Sequence, residues 1–217
     1  MIGMRKAGPW LALVLALCQT TGCAALFEPS QAAEIRIERG ALTVDGDASI
    51  TGSIFIGQGA RLSLAGPVNG GVYAQQIVNE GTLEFSSREQ SLLGGLEGSG
   101  VLHIAAPTRL TVGAANGFSG KIEIDRGATL RLTGSIGCGD YRGTIVNDGT
   151  LAFANHGRQV IAGAIQGAGD LLLEAGELVL GNPSDPSEAH PCEWSPAAGW
   201  VYAPEMPGAA KKTIAAR

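Results

Sequence analysis

The sequence predicts an all-β chain folded as a right-handed parallel β-helix, a solenoid of short strands in about six or seven coils. Three observations point there. Residues 52–85 recur without a gap at 120–153, 68 positions further on. The copies keep Gly52/Gly120, Ile54/Ile122, Ile56/Ile124, Gly59/Gly127, Leu62/Leu130, Leu64/Leu132 and Gly66/Gly134, while Arg61/Thr129, Ser63/Arg131 and Glu84/Ala152 differ. A repeat that preserves turns and buried positions but frees the residues between them is stacking on itself. Apolar residues also alternate with other residues in runs too short for an ordinary sandwich. Finally, Gly, Asn, Asp and Ser punctuate these runs and supply the backbone conformations of tight corners.

The alternating runs fall at 35–37, 41–44, 54–56, 61–64, 82–85, 101–104 and 109–112, and again at 121–124, 129–132, 150–153, 170–173 and 177–180. Period two turns one set of side chains inward and the other outward. With coils of ~20–25 residues the 68-residue spacing corresponds to about three turns. On that count Phe85 and Phe153 occupy equivalent core positions. At ~4.8 Å between stacked strands the rod is roughly 30 Å long.

Composition narrows the class further. Among 217 residues, 33 are glycine, 16% are charged and 5% are aromatic. A disordered chain would carry more charge and fewer aliphatics, and collagen would need glycine at every third position. The net charge of −5, with no basic run, argues against a nucleic-acid partner, because phosphate binding needs clustered Lys and Arg.

The N-terminus reads as a secretory signal. Arg5 and Lys6 precede an apolar core at residues 10–18 that is too short to span a bilayer, so the mature chain has no membrane span. Small residues place the cut near 25, with a second candidate as late as 32. Thr20-Thr21-Gly22-Cys23 sits where a lipoprotein signal would be cut, which makes Cys23 a candidate for lipidation. If the cut falls beyond Cys23, Cys138 and Cys192 remain. An oxidising compartment could join them in a disulfide; two separate thiols are the alternative.

The expected organisation is a signal over 1–25, a solenoid over 34–182 with repeat units 52–114 and 120–182, and a tail over 183–217. The tail carries Pro183, Pro186, Pro191, Pro196, Pro204 and Pro207 and no alternating run. It reads as irregular or disordered, although Trp194 and Trp200 could cover an open end of the solenoid.

The repeat residues carry a resemblance. Ile77-Val78-Asn79-Glu80-Gly81-Thr82-Leu83-Glu84-Phe85, followed by Leu96-Glu97-Gly98-Ser99-Gly100-Val101-Leu102, resembles the passenger-associated repeat of bacterial autotransporters. The second copy, 145–153 followed by 165–171, matches it more closely, and Asn116-Gly117-Phe118-Ser119-Gly120-Lys121-Ile122-Glu123-Ile124 is similar to the family's closing segment. The resemblance covers roughly residues 52–182. It implies a β-helical passenger secreted through the outer membrane and displayed on the cell surface, often adhesive. It also implies a C-terminal barrel of about 12 strands, which residues beyond 182 do not resemble. The expectation is therefore a passenger fragment, a truncated product or a relative exported by another route.

No catalytic, cofactor or metal site is expected. Asp45 and Asp47 flank Gly46 and have the oxygen chemistry for calcium, but a turn explains them. Asp125-Arg126 has Gly57-Gln58 as its counterpart, which argues against catalysis at that corner. His103 alternates with Leu102 and Ile104 and so points outward. His156 lies in a loop, and His190 with Cys192 lacks the second ligand pair that zinc needs. Nucleophile, zinc-protease and phosphate-loop motifs are missing. Arg39-Gly40-Ala41 and Arg126-Gly127-Ala128 lack the acid of an integrin motif.

The functional expectation is a non-enzymatic, exported scaffold or adhesin at the cell surface or outer membrane, or outside the cell, with the periplasm as fallback. It would bind a host-surface or extracellular-matrix ligand or itself. The alternatives are a carbohydrate-active β-helix enzyme, with three or more acids and a Lys or Arg on one face of adjacent coils, and a remnant of a longer autotransporter gene.

Overall fold

Alternation and corner glycines together wind the chain into parallel laps. The structure is a computed structural model that describes residues 34–114 and 116–181, together with the short strands at 194–195, 199–200 and 213–214. The signal at 1–25, its alternative end at 32, Cys23, His190 and Cys192 lie outside the described residues, as does most of the tail.

The first lap contributes β1 (Ile35–Ile37) and β2 (Ala41–Val44). The second gives β3 (Ile54–Ile56), β4 (Arg61–Leu64) and β5 (Val72–Tyr73). The third gives β6 (Ile77–Asn79), β7 (Thr82–Phe85) and β8 (Glu89–Leu92). The fourth gives β9 (Leu96–Glu97), β10 (Val101–Ile104) and β11 (Arg109–Val112). Residues 113–120 then cross one side without a strand. They lead to β12 (Lys121–Ile124), β13 (Thr129–Leu132) and β14 (Asp140–Tyr141). The remaining laps hold β15 (Ile145–Asn147), β16 (Thr150–Phe153) and β17 (Arg158–Ile161), then β18 (Ile165–Gln166), β19 (Asp170–Leu173) and β20 (Glu177–Leu180).

The laps stack as a three-sided parallel β-solenoid of about seven turns. The first sheet runs β1-β3-β6-β9, the second β2-β4-β7-β10-β12-β15-β18, and the third β5-β8-β11-β13-β16-β19. A fourth sheet, β14-β17-β20 with the short strand at 213–214 at its edge, continues the side begun by the first. The strandless segment bridges the two, because Ser119 N–H donates to Gly98 O at 3.0 Å and Cys138 N–H to Asn116 O at 2.8 Å.

The register corrects one expectation. In the second sheet Leu62, Leu83, Leu102 and Ile122 are successive partners, so three laps take 60 residues. The 68-residue offset overshoots by eight, and Leu130 pairs with Leu110 in the third sheet. The second copy is therefore turned by one side of the prism. Phe85 sits in the second sheet between Leu64 and Ile104, and Phe153 in the third between Leu132 and Leu173. Both are fully buried, but they are not stacked equivalents. Laps of 19 to 21 residues here, shorter than an in-phase copy needs, cause the difference.

Each copy carries the same internal polar contacts. The Tyr73 hydroxyl donates to Gly52 O at 2.6 Å, and the Tyr141 hydroxyl to Gly120 O. Burial raises the pKa of both phenols, so they remain neutral donors. Gln90 and Gln159 point inward where the apolar alternation breaks. Their side-chain carbonyls accept from Val68 N–H and Ile136 N–H, each at 2.9 Å. Asn79 and Asn147 donate to the next lap at Val101 O and Asp170 O, each at 2.8 Å.

Close backbone approach fixes the corners. A Cβ on Gly149 would lie 2.4 Å from both Ala128 O and Asp125 O, and one on Gly81 would meet Ala60 O at 2.3 Å. Gly157 has nothing within 4 Å of such an atom. Gly149→Ala is therefore expected to cost about 1–3 kcal/mol or more as the backbone is pushed apart. Gly157→Ala should stay within about 0.5 kcal/mol of the parent. Urea unfolding of the two variants checks this, and equal midpoints would contradict the packing.

Candidate functional site

The outward positions of the second sheet bring charged residues from adjacent laps into one column. Parallel pairing aligns Ser63, Glu84, His103 and Glu123, because alternation that sends Leu83, Leu102 and Ile122 inward sends these outward. Asp125 follows β12 at the corner. His103 Nδ1 lies 3.1 Å from Glu84 Oε2, and its Nε2 lies 3.1 Å from Asp125 Oδ1. Arg61 from the lap before pairs with the same Glu84 oxygen. Lys121 Nζ approaches Glu123 Oε1 at 2.6 Å along the strand.

His103 does point outward as its alternation predicts, yet it is held between two carboxylates, with 22% of its side chain exposed. Partial burial lowers its pKa, but the hydrogen bonds and charges of Asp125 and Glu84 outweigh that, and the net shift is upward. Partial burial likewise raises Glu84, while His103 and Arg61 outweigh it and bring the net shift below the ordinary carboxylate value. Glu84, held toward its ionised form beside Arg61 and His103, is a poor proton donor.

Two shallow concavities lie at corners. One is lined by Asp125, Arg126, Asp148 and Ala168, where Asp148 Oδ1 accepts from Ala168 N–H at 3.1 Å. The other is lined by residues including Pro67, Gly70, Val72, Ser87 and Arg88.

The remaining sequence candidates fall as follows. Asp45 and Asp47 are exposed on either side of Gly46, whose φ of 71° defines a turn. Among the described residues no group of three or more His, Cys, Asp or Glu side chains could hold a metal. His156 is exposed in the loop before β17. Cys138 is disulfide-bonded, and Cys192, named from sequence as its mate, lies outside the described residues. Cys138 occupies a left-handed turn at φ 57°, where the first copy has Gly70 at φ 66°. A side chain there carries a cost of roughly 1–2 kcal/mol that glycine avoids. The contacts of His103 with Glu84 and Asp125 were not anticipated from sequence. They span 19 and 22 residues, one lap in each case, and become visible only once the lap length is known.

Comparison with protein-family models, with curated proteins and with solved structures finds no match. Among the described residues no helix is long and apolar enough to cross a membrane.

A histidine whose folded pKa is raised stabilises the fold fully below its unfolded value, 6.5, and loses that contribution as pH rises through the folded value. Glu84, shifted down from 4.5, contributes above that value and loses the contribution as pH falls through its folded pKa. His103→Gln is therefore expected to lower Tm most between these two values, and less at alkaline pH or in high salt. Surface pairs of this kind contribute at most about 1 kcal/mol. A Tm difference that does not vary from pH 5 to pH 9 would refute the pairing.

Proposed function

We propose that the chain is an exported, passenger-like β-solenoid that acts as a surface scaffold or adhesive module and has no catalytic role. The observation that carries this reading is the duplication itself. Inward residues, corner glycines and the Tyr–Gly contact are kept between copies, while outward residues such as Arg61/Thr129 and Ser63/Arg131 change. A surface that varies on a fixed frame suits recognition. The turn of one side between the copies sends equivalent outward positions in different directions, so one lineage of sequence furnishes two distinct faces. The apolar residues 10–18 behind Arg5 and Lys6 support export, and the autotransporter-like repeat blocks support a passenger. The ligand would be a host-surface or extracellular-matrix molecule or another copy of the chain.

One observation favours a second reading. Glu84, Glu123 and Asp125 share the outer side of the second sheet with Arg61 and Lys121, the mixture that a carbohydrate-active β-helix uses. Each of those acids already lies against a cation or His103, and Glu84 is shifted toward the ionised form. A glycosidase-type general acid needs the opposite shift. The scaffold reading is therefore preferred.

Fractionation of expressing cells, with N-terminal sequencing of the recovered protein, tests the proposal. Recovery from the periplasm, outer membrane or medium with a new N-terminus between about residues 23 and 33 is expected. Recovery from the cytoplasm with Met1 intact would overturn it.

A further inference from the structure

The last laps are buried where an open solenoid end should be exposed. In the terminal lap Leu171 and Leu173 are only partly buried, as an uncovered edge requires, yet Leu178 in β20 is 0% exposed. Val160 and Val179 point away from the core, since Gln159, Ile161 and Leu178 point into it, but they are only 8% and 4% exposed. Outward valines elsewhere are more exposed: Val78 and Val146 are intermediate, and Val72 is 45% exposed. Neither Val160 nor Val179 belongs to the main hydrophobic cluster. Something other than the solenoid wall therefore covers the outer side of the fourth sheet.

We propose that the occupant is the chain's own C-terminal segment, residues 182–217, fastened across the fourth sheet at two points. One is β23 (Thr213–Ile214), which pairs antiparallel with β20 through Leu178↔Ile214 and Val179↔Thr213 and so occupies that edge. The other is a disulfide between Cys138 and Cys192. Cys138 is disulfide-bonded and sits in the turn leading into β14, at the opposite edge of the same sheet. Of the other cysteines, Cys18 and Cys23 fall within or beside the predicted signal.

The lengths fit. From Gly181 to Cys192 the chain can reach roughly 35 Å, whereas crossing the three strands β20, β17 and β14 needs only about 10–15 Å. The return from Cys192 to Thr213 is longer still. Between the anchors Trp194, Trp200, Val201 and Tyr202 offer apolar area to set against Val160 and Val179. β21 (Trp194–Ser195) and β22 (Gly199–Trp200) pair antiparallel within this stretch. Forming the bond oxidises two thiols to one S–S bond. Two electrons and two protons pass to a disulfide-type oxidant, which leaves as its dithiol, as in an oxidising compartment.

The test uses the full-length oxidised protein. Non-reducing peptide mapping should recover Cys138 joined to Cys192. Trypsin should cut at Lys211 and Lys212 at least about tenfold more slowly than in the urea-unfolded chain, because cleavage then waits on local opening. Val179→Asp should restore about tenfold faster cutting there, while Val78→Asp in the first sheet, away from the two anchors, should leave the rate unchanged. Far-UV circular dichroism identifies any variant that fails to fold, and the two wild-type measurements stand without the variants. Cys138 joined to Cys18 or Cys23, wild-type cutting as fast as in urea, or a folded Val179→Asp that remains protected would each overturn the proposal.

Discussion

Everything in this fold depends on one lap resting directly on the next, with almost no space at corners such as Gly66, Gly81, Gly100 and Gly149. Strand pairing holds the flat sides, but the corners decide whether two laps can approach to pairing distance. At Gly81 and Gly149 the α-carbon faces carbonyl oxygens of the lap before, so no larger residue fits. With the corners closed, inward Leu, Ile, Val and Phe form continuous columns, and each buried side chain contributes about 1.5–3 kcal/mol. The inward Gln and Asn residues tie neighbouring laps through hydrogen bonds that would otherwise be lost inside the core.

That constraint also explains how a duplicated sequence can land on a different side. A strand, a glycine corner and a second strand satisfy the packing rules equally well on any side of a three-sided prism. Local sequence specifies the unit, and lap length specifies where it falls. Three laps of 60 residues against a 68-residue offset leave the second copy one side ahead. The Tyr–Gly, Gln–backbone and Asn–backbone contacts survive because they link residues about one lap apart, whichever side carries them. The strandless stretch at 113–120, with Phe118 fully buried, is where the first phase gives way to the second.

Much of this was legible in the residues. Every alternating run from 35–37 to 177–180 coincides with a strand, since strict alternation on a half-buried surface has one stable solution. The missed strands are informative. β8 and β17 carry Gln90 and Gln159 at inward positions, so the apolar period is broken where a polar side chain satisfies the backbone of the neighbouring lap. β5, β9, β14 and β18 are two residues long, too short to show a period. The phase of the repeat is not legible locally because the sum of lap lengths, which no local motif records, determines it. The grouping of Glu84, His103 and Asp125 was hidden for the same reason, and the charge column on the second sheet emerges only from the register.

The central claim, a continuous solenoid whose second copy is turned by one side, is most directly tested by cysteine pairs at outward register positions. Adjacent strands at ~4.8 Å bring such positions within disulfide range. His103→Cys with Glu123→Cys reports the second sheet, and Thr111→Cys with Arg131→Cys reports the third, since each pair are direct partners. Both pairs should cross-link quantitatively under mild oxidation, and Ser63→Cys with Arg131→Cys should not. In-phase copies would need laps of about 22–23 residues, which takes positions 20 apart out of register, so failure of the His103/Glu123 and Thr111/Arg131 pairs to cross-link in a folded chain would contradict the account.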